Sequence, residues 1–166
     1  MAFYYKCKNR IFIIRENDLH IVNMFKKLYE KNERMHNNIH TASTLLETYD
    51  LNIVVLIDKY ITIWSDGPHD YIDDNFINTG KPETILIEYD LSLIKEYIDD
   101  EIKNSSEFAS LNSLHKKKFI IKKVYNIIEA CNKIELNSLL KKLYIYIADI
   151  IWNCSIIDVE AFEKEQ

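Results

Sequence analysis

The chain has 166 residues, 48% apolar and 12% aromatic. That is enough to bury about 70% of its unfolded surface in one domain, without a metal or disulfide staple. A net charge of −5 speaks against a general nucleic-acid binder, and the apolar content excludes a disordered tail. With two glycines and two prolines there is no Gly-rich phosphate cradle, so neither a Rossmann nor a P-loop enzyme is expected and no catalytic residue or cofactor is assigned.

Phe3–Cys7 and Arg10–Arg15 are aromatic and β-branched, and Lys8-Asn9 between them suits a tight hairpin. Asn17 or Asp18 is placed to cap a helix carrying Leu19, Val22, Met24, Phe25, Leu28 and Tyr29 at helical spacing. The polar stretch 31–44 reads as loop or frayed helix. Asn52–Ile57 and Tyr60–Trp64 are apolar β-branched runs separated by Asp58-Lys59, which predicts a second hairpin. All four chain breakers, Gly67, Pro68, Gly80 and Pro82, fall in one acidic window, the main loop.

After that window, Thr84–Tyr89 reads as a short strand and Asp90 precedes a helix with Leu91, Ile94, Tyr97, Ile98 and Ile102 on one face. A helix follows from about Lys117 to Cys131, and another over about 137–151 that is apolar nearly all round. Ser155 opens a short last helix with Ile156, Val159 and Phe162 at helical spacing. Strands early and helices late predict an α+β domain, helices packed on a small sheet. Leu140, Leu143 and Ile147 are expected in its core.

No residue set points firmly to chemistry. His36 and His40 have the spacing of a metal pair but no HExxH glutamate between them, so they read as loop histidines. Asp66, Asp70, Asp73 and Asp74 cluster near His69 without the EF-hand alternation. A small metal-dependent hydrolase using this acidic loop is the enzyme alternative. No metal ligand is assigned. Cys7, Cys131 and Cys154 fit neither a disulfide framework nor a metal knuckle, and read as reduced core thiols. The lysines at 116, 117, 118, 122 and 123 read as a solvated charged face. Trp64 reads as core, whereas Trp152 fits either core or interface. No run approaches the roughly 18 apolar residues of a membrane span, and the start carries no signal-like apolar region. The expected setting is cytoplasm or nucleus, and the Ile, Asn, Lys and Tyr usage suggests an AT-rich genome, viral or protist.

The stretch from Lys122 to Phe162 resembles the BTB/POZ superfamily, specifically its Skp-type ubiquitin-ligase adaptors (Skp and elongin C-like). Ala130-Cys131-Asn132-Lys133-Ile134-Glu135-Leu136 stands at the family's turn. Leu139-Leu140, Ile147-Ala148 and Ile150-Ile151 match the helix after it, Ser155 the next cap and Phe162 the final Phe. Phe3 to Glu30 has the order of the family's first strands and helix, and Thr84 to Ile102 looks like its third strand and following helix. The resemblance implies one BTB/POZ-like domain over 1–162, with an insertion at about 35–82 and a tail at 163–166.

It also implies a non-catalytic protein-interaction adaptor that bridges a cullin-like scaffold and an F-box-like receptor helix. Asn132 and Lys133, where the family has an aromatic in place of the lysine, would face the scaffold. Trp152, Ile156, Val159 and Phe162 would face the receptor. The chain stops before the family's acidic terminal helix, so F-box binding is expected in reduced or altered form. The alternative within the binding class is a homodimerising BTB module unrelated to ubiquitination. Neither reading involves nucleic acid or membrane.

Overall fold

The alternation of the N-terminal segment builds a hairpin. The computed structural model describes residues 2–34, 43–64 and 88–153. In it β1 (Ala2–Cys7) pairs antiparallel with β2 (Arg10–Arg15), from Ala2 opposite Arg15 to Cys7 opposite Arg10. Lys8, at φ 51°, takes the left-handed backbone that a tight two-residue turn requires. Phe3, Tyr5 and Cys7 are buried from β1, as is Ile14 from β2. Tyr5 stacks on Phe12 with centroids 5.1 Å apart and meets Phe25 at the same separation.

Beyond β2 the chain makes a 3₁₀ turn, Glu16–Ile21, which buries Leu19 and Ile21. Asn17 and Asp18 lie inside this turn and do not cap a helix. The extended Val22 (φ −119°, ψ 94°) separates the turn from α1, Asn23–Arg34. Ser43 returns to the free side of β1: its carbonyl accepts from the Lys6 N–H at 2.8 Å and its N–H donates to the Tyr4 carbonyl at 2.8 Å. This parallel bridge to Tyr5 is a single residue pair.

The expected second hairpin is replaced by a helix. Residues Leu51–Ile63 form α2, continuing straight through Asp58-Lys59. Its buried positions, Ile53, Val54, Leu56, Ile57, Tyr60 and Ile61, recur with the spacing of a helix face. Burial along a broad face outweighs the β preference of the branched side chains, because propensity is a weak local term. Trp64, just past the helix, is buried as expected.

The next described helix, α3, spans Glu88–Lys103. Glu88 and Tyr89 are thus helical, which corrects the end of the expected strand; residues 84–87 lie outside the described residues. Asp90 sits within the first turn of α3 and not ahead of it. Asn112 caps α4 (Ser113–Ile134), its Oδ1 accepting from the His115 N–H at 2.8 Å. Helix α5 spans Asn137–Trp152 and buries Leu139, Leu140, Leu143 and Ile147. The architecture is mixed α+β and mostly helical, with a two-stranded antiparallel sheet among the described residues.

The chain divides into two compact units, one of Met1–Tyr71 with Ile127–Lys141, the other of Ile72–Asn126 with Lys142–Gln166. In the first, the hairpin, α1, α2 and the Ile127–Lys141 segment contribute Phe25, Ile57, Ile127 and Leu136 to the buried set. In the second, Ile94, Tyr97, Val124 and Leu143 are buried.

Candidate protein-binding surfaces

Helix α5 is amphipathic in its packing, though not in its composition. Leu140, Leu143 and Ile147 are buried, whereas Tyr144, Ile151 and Trp152 are exposed by 50%, 56% and 86%. Tyr144, Ala148, Ile151 and Trp152 are spaced i, i+4, i+7 and i+8, so they share one side of the helix. Of this helix, apolar nearly all round in sequence, one side is packed and the other is exposed among the described residues. Trp152 is settled as a surface residue.

The end of α5 is held from several directions. The Asn153 side chain donates to the Asp149 carbonyl and to Asp149 Oδ1, each at 2.9 Å. Lys117 Nζ donates to the Asn153 carbonyl at 3.1 Å. A lysine and an amide thus satisfy groups at the helix C-terminus, where unsatisfied carbonyls and the helix dipole favour a cation. The backbone beneath Trp152 is anchored while its indole projects outward.

The turn expected to face a scaffold is built by a Schellman closure of α4. The Leu136 N–H donates to the Cys131 carbonyl at 2.9 Å and the Glu135 N–H to the Asn132 carbonyl at 3.2 Å. Glu135 takes the left-handed position at φ 56°, where glycine is the usual occupant. Lys27 Nζ reaches Glu135 Oε2 at 2.6 Å, tying α1 to the turn across 108 residues. Asn132 and Lys133 are both exposed on the last turn of α4.

Other candidates resolve into structural roles. Cys7 and Cys131 are free thiols, fully buried, and burial pushes both above the usual thiol range. The lysine run is more engaged than a solvated face: Lys123 pairs with Glu101 at 2.5 Å and lies over the Phe119 ring, and Lys116 lies over Phe108. Among the described residues no cluster of three or more His, Cys, Asp or Glu is placed to hold a metal. His36, His40, the acidic loop with His69, Cys154, Ser155, Ile156, Val159 and Phe162 lie outside the described residues. No described helix is long and apolar enough to cross a membrane.

Two features escaped the sequence reading. Asp90 and Lys142 form a fully buried ion pair, invisible to a pattern that assigns every lysine to solvent. Ile11 and Ile13 are exposed by 63% and 59%. Their alternation with Phe12 and Ile14 was the available signal. Comparison of the chain with protein-family models, with curated proteins and with solved structures finds no match.

Proposed function

We propose that this chain is a non-catalytic protein-interaction adaptor that docks a partner helix on the exposed apolar side of α5. The observation that carries the reading is Trp152, 86% exposed on a backbone anchored by Lys117 and Asn153. A tryptophan held in water beside Ile151 and Tyr144 offers apolar area that an amphipathic helix would remove from solvent.

The resemblance to Skp-type adaptors gives the reading its specific form. The α5 surface takes an F-box-like receptor helix; Ile156, Val159 and Phe162, which the resemblance also assigns to the receptor, lie outside the described residues. Asn132 and Lys133, at the end of α4, meet a cullin-like scaffold.

The experiment titrates purified wild type, Trp152→Ala and Lys133→Glu with an F-box helix peptide and with a cullin N-terminal domain, alongside thermal melts. Trp152→Ala should weaken the peptide by about 2 kcal/mol or more and leave the melt unchanged. Lys133→Glu should alter scaffold binding alone. If wild type binds neither probe, the Skp-type form is wrong. If Trp152→Ala instead dissolves a homodimer, the α5 surface serves self-association.

A further inference from the structure

We propose that the outer edge of β2 is a second docking site, for an extended peptide with apolar residues at alternate positions and a carboxylate at each end. The backbone argument is one of parity. The Tyr4 carbonyl and the Lys6 N–H are used by Ser43, so these residues face away from β2. Phe3, Tyr5 and Cys7 therefore exchange bonds with Ile14, Phe12 and Arg10. The N–H and C=O groups of Ile11 and Ile13 consequently point to the opposite edge. Among the described residues no strand pairs with that edge.

The side chains reinforce the backbone. Ile11 and Ile13 stand exposed on the same sheet face, where a paired strand would place its own apolar residues against them. Arg10 and Arg15 close the two ends of β2, both exposed. Among the described residues neither guanidinium has an ion-pair partner. The nearby lysines are already engaged, Lys6 with Glu47 at 2.8 Å and Lys8 with Asp50 at 3.6 Å. Arg10 and Arg15 are five residues apart, about 17 Å along an extended strand. The complementary occupant carries carboxylates at the same spacing. A second copy is a poorer fit, because pairing β2 with itself gathers four guanidiniums and no carboxylate on one edge.

The test uses fluorescein-labelled Glu-Val-Thr-Val-Thr-Glu and its Lys-ended counterpart, read by anisotropy with the full chain. The Glu-ended peptide should bind wild type and the Lys-ended one should not. The double variant Arg10→Glu/Arg15→Glu should weaken the Glu-ended peptide about tenfold, the scale of two exposed ion pairs, and bind the Lys-ended one instead. Ile13→Pro removes one outward N–H and leaves the Phe12 and Ile14 bonds to β1 intact, as proline on an edge strand permits. It should lower binding of the Glu-ended peptide while the fold, checked by circular dichroism, persists. Equal binding of both peptides, binding of neither, or a concentration-dependent dimer that Ile13→Pro abolishes would overturn the proposal.

Discussion

Lys142 Nζ lies 2.7 Å from Asp90 Oδ2, and both side chains are sealed from solvent. The pair joins the first turn of α3 to α5 within one unit, 52 residues apart in sequence. A lysine on a helix face whose neighbours Leu139 and Leu143 are buried is stabilised by the carboxylate that meets it there. The attraction offsets a desolvation cost of several kcal/mol per ion, so the pair specifies which helix faces meet more than it adds to stability.

Removing one partner should therefore be much worse than removing both. Lys142→Met takes away the cation that the buried Asp90 carboxylate meets, and should cost about 3–5 kcal/mol in urea melts. Asp90→Leu combined with Lys142→Met should recover most of that loss. A single-variant cost below about 1 kcal/mol, typical of an exposed pair, would contradict the sealed geometry.

Tyr5 and Asp58 make stability depend on pH. The Tyr5 hydroxyl donates to Asp58 Oδ1 at 2.8 Å. Burial raises the Asp58 carboxyl above its ordinary range, and the bond from Tyr5 offsets part of that rise. The folded state thus holds the Asp58 proton more tightly than the unfolded chain does. The resulting stability is complete below the ordinary carboxylate range and is lost as pH rises through the raised folded value. Asp58→Asn cannot lose a proton, so its stability relative to wild type should improve between about pH 3 and about pH 7. Urea melts of both proteins across that range measure it, and parallel pH profiles would refute the buried-carboxylate account.

Glu135 combines a backbone cost with an ion pair. Its left-handed φ costs a non-glycine residue about 1 kcal/mol, and the exposed contact with Lys27 contributes about 0–1 kcal/mol. Glu135→Gly should be close to neutral, because the two losses and gains are similar. Glu135→Val keeps the backbone cost, adds β-branching and loses the pair, so it should destabilise by more than about 1 kcal/mol. Thermal melts of the two variants rank them.

Cys7 and Cys131 should be chemically silent. Burial denies them both access and thiolate character. In a Cys154→Ser background, Ellman's reagent should titrate no thiol in native buffer and both after denaturation. Rapid native reaction would mean that one of these sites opens readily.

The N-terminal hairpin was legible because its signals are local. Alternation at Phe3, Tyr5 and Cys7 and a turn at Lys8-Asn9 set the pairing before any tertiary contact is considered. Helix α5 was legible for the same reason, and Leu140, Leu143 and Ile147 are buried as its periodicity implies. Asn132 and Lys133, expected in a turn beyond a helix ending at Cys131, lie instead on the last helical turn of α4, and the left-handed Glu135 with its tie to Lys27 follows them.

The helix at Leu51–Ile63 shows where local reading ended. A nearly continuous apolar, β-branched run satisfies a strand template and a helix template at once. Its sequence determined that the segment would be buried; the tertiary structure decided that it would be helical, because burial requires Ile53, Val54, Ile57, Tyr60 and Ile61 on one broad face and brings Asp58 to Tyr5. The same division holds for Trp152 and Lys142 on α5. Composition marked that helix for burial, but which side chains met water depended on partners distant in the chain: Asp90 drew Lys142 inward, and no described element covers Trp152. Hydrophobic pattern is a property of neighbours along the chain, whereas pairing and exposure belong to neighbours in space.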